Sequence, residues 1–251
     1  MKNVLGVLFL LAAAITPAFP VHAAEVSVAV AANFSSPMEK IAAAFESETG
    51  HKAVLSFGAT GNFYAQIRNG APFQVLLAAD QEVPARLETE GFAAPGSRFT
   101  YATGRLVLWS AQPGMVDDKG EVLRRPGEGR IALANPKLAP YGAAAMQTMT
   151  ALGLLGSLQP RFVQGENIAQ AYLFVATGNA PLGFVALSQV MVGGQLEKGS
   201  AWVVPANLHT PIRQDAVLLA RGKDNAAAIA LMAYLRGNTA RMLIRSFGYQ
   251  F

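Results

Sequence analysis

Residues 24–50 read AEVSVAVAANFSSPMEKIAAAFESETG, and residues 52–91 continue KAVLSFGATGNFYAQIRNGAPFQVLLAADQEVPARLETEG. Val26, Val28 and Val30 alternate with Ser27 and Ala29, the period of a strand that presents one face to a core. Ser36-Pro37-Met38-Glu39 then has the form of a capping box with Pro at the first helical position. Met38, Ile41, Ala42 and Phe45 follow at helical spacing until Gly50 stops the helix. The pattern repeats with strand 53–57, loop 58–62 and helix 63–69 closed by Gly70, then strand 75–79 and helix 83–90 closed by Gly91. Strands and helices alternating over such short turns predict an α/β fold, a mostly parallel sheet with helices on its faces.

Farther along, residues 98–109 form a long strand pattern bent at Gly104. A second series follows: strand 131–134, helix 141–152, strand 161–163, helix 167–176 and strand 182–187. Strand 201–204 leads to another long strand, 212–219, and helices 225–235 and 238–246 end the chain. Two long strands flanking an inserted α/β unit predict two lobes joined by two crossings. The first lobe is expected to comprise 24–104 plus 214–251, and the second 105–213. Residues 113–126, the most polar and Gly-rich stretch, read as a surface loop.

Ahead of all this, Lys2, the apolar run 4–18 and the small residues of Val21-His22-Ala23 form a secretory signal peptide over 1–23, so the chain is expected to be exported to the periplasm. Composition narrows the chemistry. Of 251 residues 52% are hydrophobic and 14% charged, so a packed core is available. None is Cys, which excludes disulfides and thiolate metal sites. The net charge is +4, but the only adjacent basic pair is Arg124-Arg125 and no helix carries a basic stripe, which argues against nucleic acid as a partner. His51 and His209 lack a ligand-spaced partner, so no metal site is expected. Ser35 or Ser36 as the nucleophile of a secreted hydrolase would lack a recognisable base, and no phosphate-loop or dinucleotide fingerprint is present. Asp117-Asp118 and Glu88/Glu90 lie in polar stretches. No catalytic residues are assigned.

Four strand-to-helix connections remain: 32–36, 58–62, 135–142 and 165–168. Open α/β sheets bind ligands at that edge. The first turn of each helix carries N–H groups without internal partners, at the positive end of its dipole. Helix starts that converge make an anion site without Lys or Arg. The same Ser, Thr and Asn residues would also serve merely as helix caps.

The loops resemble a family. Ala31-Ala32-Asn33, Phe57-Gly58-Ala59-Thr60-Gly61, Gly70-Ala71-Pro72 with Ala78-Ala79-Asp80, Asn135-Pro136 to Pro140-Tyr141-Gly142, Asn179-Ala180-Pro181-Leu182-Gly183 and Phe247-Gly248-Tyr249 are similar to the periplasmic molybdate-binding proteins of ABC uptake systems. The likeness spans essentially the whole processed chain. It implies the two-lobed periplasmic-binding-protein-like fold and a monomeric receptor, not an enzyme, that binds molybdate or tungstate without a cofactor and delivers it to an inner-membrane ABC permease. The oxyanion would lie between Asn33 and Thr60 on the first lobe and Tyr141 and Ile168 on the second, Ile168 giving only its backbone N–H and Asn33 and Thr60 adding side-chain donors to theirs. Two departures stand out: Ala186 lies where the family often has Tyr, a hydroxyl that Tyr141 is placed to replace unless it packs on the surface, and Gln74 lies where relatives usually have Asp. A site of neutral donors with no carboxylate acceptor favours an oxyanion without a proton. Hydrogen phosphate would leave an unpaired O–H, at a cost of roughly 1–3 kcal/mol. Sulfate is the alternative ligand, since only cavity size rejects it.

Overall fold

The computed structural model describes residues 23–125, 127 and 129–251. The signal peptide expected over 1–23 lies, but for Ala23, outside the described residues. In chain order the first elements are β1 (Glu25–Ala31), α1 (Ser35–Thr49), β2 (Lys52–Gly58), α2 (Thr60–Arg68), β3 (Val75–Leu77), α3 (Glu82–Thr89) and β4 (Phe99–Gly104). A second set follows: β5 (Leu106–Ser110), β6 (Ile131–Ala134), α4 (Pro140–Ala151), α5 (Leu155–Leu158), β7 (Phe162–Gly165), α6 (Ile168–Ala176), β8 (Leu182–Ala186), β9 (Met191–Val192), β10 (Gln195–Leu196) and β11 (Ser200–Val203). The chain ends with β12 (Ile212–Leu218), α7 (Ala226–Tyr234) and α8 (Asn238–Ser246).

These strands build two five-stranded sheets, ordered β2-β1-β3-β12-β4 and β11-β5-β8-β6-β7, beside a small β9–β10 hairpin. In each sheet the strand that runs against the rest adjoins a passage between sheets: β12 is antiparallel to β3 and β4, and β5 to β8 and β11. Only Arg105 separates β4 from β5, so the bend at Gly104 is where the chain leaves one sheet for the other. The result is a two-lobed, mixed α/β fold.

Alternation along the strands sorts the core. Val26, Val28 and Val30 pack with Phe34, Met38, Ile41, Leu231 and Ile244 under α1, α7 and α8. Ala29, on the opposite face, joins Phe63, Leu76, Leu87 and Val217 beneath α2 and α3. Leu106 and Leu108 face α4, while Val107 and Trp109 face α6. A fully buried aliphatic side chain of this kind stabilises by roughly 1.5–3 kcal/mol.

Three local readings need correction. The capping box at Ser36 does not form: a 3-10 turn, Ala32–Phe34, precedes α1, Phe34 occupies the N-cap position and Ser36 is exposed in the first turn. Phe34 fixes this start because its ring is wholly buried edge-on against Tyr101 and Tyr249, at centroid distances of 4.7 and 5.4 Å. Helix α2 begins at Thr60 rather than Phe63, because Asn62 and Phe63 both donate to the Ala59 carbonyl and Gly61 N–H is held across the cleft by Leu138 O at 2.9 Å. The stretch 113–126 is more than a surface loop as far as it is described. Val116, Val122 and Leu123 are buried against the second sheet, and the Asp117 carboxylate accepts from the N–H groups of Lys119, Glu121 and Val122. Those bonds, that of Glu121 first, hold Asp117 below the usual carboxylate range.

Where β12 returns to the first sheet its register shifts between Gln214 and Asp215. Asp215 is completely buried and accepts from Arg98 (2.6 Å), Thr100 Oγ1 (2.7 Å) and Gln81 Nε2 (3.2 Å). Its N–H donates to the carbonyl of Asp80, whose own carboxylate accepts from Val83 N–H at 2.9 Å. Burial is the main cause that pushes the Asp80 carboxyl up to about 6, with Glu82 and Asp215 adding and the backbone bonds of Val83 and Glu82 opposing. The folded chain therefore holds this proton more tightly than the unfolded one. Stability falls as pH rises through the window from the ordinary 3.8 to about 6, and above it the carboxylate is a net liability. Asp80→Asn keeps the oxygen that accepts from Val83 and removes the charge. It is expected to raise Tm at about pH 7.5, with the gain fading toward about pH 4; thermal unfolding at both values checks this, and coincident curves at the higher pH would refute it.

Candidate functional site

The ends of β1, β2, β6 and β7 each feed a helical start, and the four starts meet between the lobes. They enclose a cavity of about 10 Å³ lined by Ala31, Ala32 and Asn33, by Gly58, Ala59 and Thr60, by Ala79, by Ala139, Pro140 and Tyr141, and by Asn167 and Ile168. The structure thus brings together the sequence-predicted residues Asn33, Thr60, Tyr141 and Ile168, which are 2%, 1%, 1% and 3% exposed. None of the lining residues is charged. Half are Ala or Gly, which leaves room for backbone N–H groups at the wall.

Each helix start contributes in its own way. In α6, Asn167 is a true N-cap: its Oδ1 accepts from Ala169 N–H (2.9 Å) and Gln170 N–H (3.1 Å), so the N–H of Ile168, at the first helical position, is left to face the cavity. Capping and anion binding are compatible here because they use different N–H groups. In α4, Pro140 takes the first helical position, where its missing N–H costs nothing, and Tyr141 follows. In α2, Thr60 Oγ1 accepts from Ala79 N–H at 2.9 Å, which frees its own hydroxyl proton for donation. The Asn33 amide behaves otherwise: Nδ2 donates to Gln214 Oε1 (2.8 Å) and Tyr249 Oη (2.9 Å), so that amide supports the site rather than donating into it. The donor Asn33 can offer a guest is its backbone N–H.

Tyr141 does not pack on the surface. Its hydroxyl is buried and accepts from Gln214 Nε2 at 3.2 Å. Burial pushes the Tyr101 and Tyr141 hydroxyls well above their ordinary range and that of Tyr249 up to about 12, so all three remain protonated donors. Ala186 ends β8 in the same core cluster as Tyr141. Gln74 is remote from the cavity: its side chain accepts from Ser27 N–H and its backbone bonds Ser27 and Leu219, tying β1, β3 and β12 together.

The lobes touch around the cavity. Gly61 N–H donates to Leu138 O, and Ser188 Oγ donates to the Asn33 carbonyl at 2.8 Å. Outside the Gly61–Leu138 contact lies an open groove of about 590 Å³. Its walls carry charges of both signs, Asp80, Glu82 and Arg86 on one side and Lys137 and Arg213 on the other. That mixture suits a vestibule better than a site for one anion. The hydrolase arrangement is not built: Ser36 is exposed, Ser35 Oγ donates to Ala32 O, and the Nδ1 atoms of His51 and His209 are engaged with Ala24 N–H and Thr210 O.

Tyr101, Gln214, Ser188 and Tyr249, the polar residues behind the cavity, escaped sequence reasoning. A Gln-Asp pair inside the apolar strand 212–219 was the available signal, since a buried polar pair requires partners.

Three comparisons bear on this geometry. Residues 26–250 match the model of the family described as bacterial extracellular solute-binding protein. The chain is 59% identical over 228 residues to the molybdate-binding protein ModA of Azotobacter vinelandii, covering 91% of this chain and 90% of that one. It is 53% identical over 232 residues to the ModA of Rhodobacter capsulatus, covering 92% and 90%. A solved structure, the periplasmic molybdate-binding protein of Azotobacter vinelandii, superposes with a TM-score of 0.88 at 45% identity, over 90% of this chain and 99% of that one. A two-lobed fold, helix starts converging on an uncharged cavity and this likeness over nearly the whole described length agree: the chain belongs to the bacterial extracellular solute-binding proteins, in the ModA-like branch, a family of receptors and not of enzymes.

Proposed function

We propose that the chain is the periplasmic receptor that closes on molybdate, or tungstate, and delivers it to an inner-membrane ABC permease. It acts as a monomer, without a cofactor, a catalytic step or nucleic acid. The observation that carries this reading is the cavity where four helix starts meet, whose polar side chains, Asn33, Thr60, Tyr141 and Asn167, are all neutral and whose lining includes no charged residue.

The binding sequence follows from where the donors sit. The first lobe, 24–104 with 214–251, offers the N–H groups of Asn33 and Thr60 and the Thr60 hydroxyl to an anion arriving through the groove. The second lobe, 105–213, swings in the N–H groups of Tyr141 and Ile168 and the Tyr141 hydroxyl, a hinge closure about the two crossing strands. Among the lining residues no carboxylate is present to accept a proton, so an anion carrying an O–H would bury it unpaired at a cost of roughly 1–3 kcal/mol, about tenfold or more in affinity.

The direct test is thermal unfolding with molybdate, tungstate, sulfate or phosphate. A ligand at about a thousand times its Kd raises stability by roughly 4 kcal/mol, a readily measured shift in Tm. Shifts with molybdate and tungstate are expected, and none with phosphate. A shift of equal size with sulfate would make the protein a general oxyanion receptor, and no shift with molybdate would sink the reading. A second test removes one donor. Ile168→Pro deletes a single N–H at a helical position that tolerates Pro. Binding of molybdate, followed by calorimetry, should weaken by roughly ten- to a hundredfold, the value of one hydrogen bond to a charged group. Unchanged affinity would remove Ile168 from the site.

A further inference from the structure

Gln214 is fully buried on β12, beside the register shift, and touches residues of both lobes. The two ends of its amide face different company. Oε1 accepts from Asn33 Nδ2 at 2.8 Å and lies 2.9 Å from Tyr101 Oη, whose one proton is shared between it and the Ala78 carbonyl at 3.0 Å. The Asn33 amide is held in turn, because its other proton goes to Tyr249 Oη. With Oε1 committed, Nε2 faces Tyr141 Oη at 3.2 Å. An amide nitrogen only donates, so the Tyr141 oxygen must accept, and the single hydroxyl proton is turned elsewhere. Two polar destinations remain, Tyr249 Oη and the cavity that Tyr141 lines, and an anion in the cavity is the stronger acceptor. Were the amide reversed, Nε2 would meet Asn33 Nδ2, donor against donor, and Oε1 would claim the Tyr141 proton.

Gly104 supports the same arrangement. A Cβ there would run into Tyr141 Oη and Gln214 Nε2, so only Gly leaves room for both at the bend between β4 and β5.

We propose that Gln214 is the specificity-determining positioning residue of the site: its fixed amide makes Tyr141 a donor, and thereby makes the cavity reject oxyanions that carry a proton. Its side-chain hydrogen bonds to lining residues are those with Tyr141 and the Asn33 amide, and it acts through Tyr141. Because Tyr141 belongs to the second lobe and Gln214 to the first, the bond spans the lobes beside the β4–β5 crossing. The inference rests on the reading of the protein as an oxyanion receptor.

Its test is calorimetric titration of the processed protein with molybdate and with phosphate, for the wild type, Gln214→Glu, Tyr141→Phe and the double variant. Absence of molybdate binding by the wild type would overturn the receptor reading itself, and the role of Gln214 with it. In Gln214→Glu the carboxylate takes the Tyr141 proton. Molybdate affinity at about pH 8 should fall at least about a hundredfold, recover in part as the pH is lowered toward about 6 and the new carboxyl protonates, and lose ground relative to phosphate. The same substitution should cost at least about fivefold less when Tyr141 is already Phe. Affinity within about threefold of the wild type, or an equal loss in both backgrounds, would overturn the proposal. Should Gln214→Glu fail to fold, Tyr101→Phe decides. It removes one of the two donors that hold Oε1, lines no part of the cavity, and is expected to weaken molybdate at least about threefold with Tyr141 present and not at all with Tyr141→Phe. An equal effect in both backgrounds, or none in either, would overturn it.

Discussion

Backbone N–H groups at the starts of four helical segments have no carbonyl within their own helices, and this fold buries them together. An amide donor kept from water without an acceptor costs roughly 1–3 kcal/mol, and several in one place would be a serious defect. The arrangement is tolerable because an acceptor-rich guest can satisfy them all at once. Much of the local design serves that end. Alanine and glycine line the walls so that backbone can approach, Pro140 removes the one N–H that the α4 start does not need, and Asn167 caps two N–H groups of α6 while sparing Ile168. Lysine and arginine stand outside, in the groove, where they can attract an anion without holding it.

The buried hydroxyls extend this logic from backbone to side chains. A hydroxyl can donate or accept, so a site that must only donate needs something to settle the choice. Thr60 is settled by the N–H of Ala79 and Tyr141 by the amide of Gln214. Behind them Tyr101, Asn33, Tyr249 and Ser188 form a bonded layer in which, among the described residues, no buried side-chain nitrogen or oxygen lacks a partner. Fully satisfied networks of this kind are rigid, and a rigid network fixes the direction of a proton.

How much of this could be read from sequence depends on range. Strands and helices were legible because their periods are local: Val26, Val28 and Val30 announce a strand wherever they sit, and Gly50 with its φ of 73° ends α1 as a helix-stopping Gly should. The connections 58–62, 135–142 and 165–168 were legible as a ligand edge because a strand-to-helix turn is also local, whereas Thr60, Tyr141 and Ile168 within them were named by the family resemblance. The failures involve distant partners. Ser36 has the right neighbours for a capping box, but Phe34 is drawn into the core by Tyr101 and Tyr249, far along the chain, and tertiary packing overrode the local motif. The Asn33 side chain looked like a donor to the ligand because nothing nearby in sequence claims it; Gln214 and Tyr249 do so from 181 and 216 residues away. Val116 and Leu123 vanish into the core from a stretch whose glycines and prolines promised exposure.

In the proposed binding sequence the neutral lining would also govern release. A fixed Arg beside the anion would hold it in the open protein as well as the closed one, whereas converging helix starts lose their hold when the lobes part. Direct hydrogen bonds between the lobes around the cavity are few among the described residues: Gly61 to Leu138 at 2.9 Å, Ser188 to Asn33 at 2.8 Å, Tyr249 to Ser188 at 3.0 Å, and Gln214 to Tyr141 at 3.2 Å. At a net of roughly 0.5–1.5 kcal/mol each, they stabilise closure by only a few kcal/mol, against whatever strain and lost motion closing entails. The donors that the second lobe brings to the anion contribute an amount of the same size. A balance so near even is one that a single small ligand can tip, and one from which a partner that prefers the open lobes can draw the ligand back out.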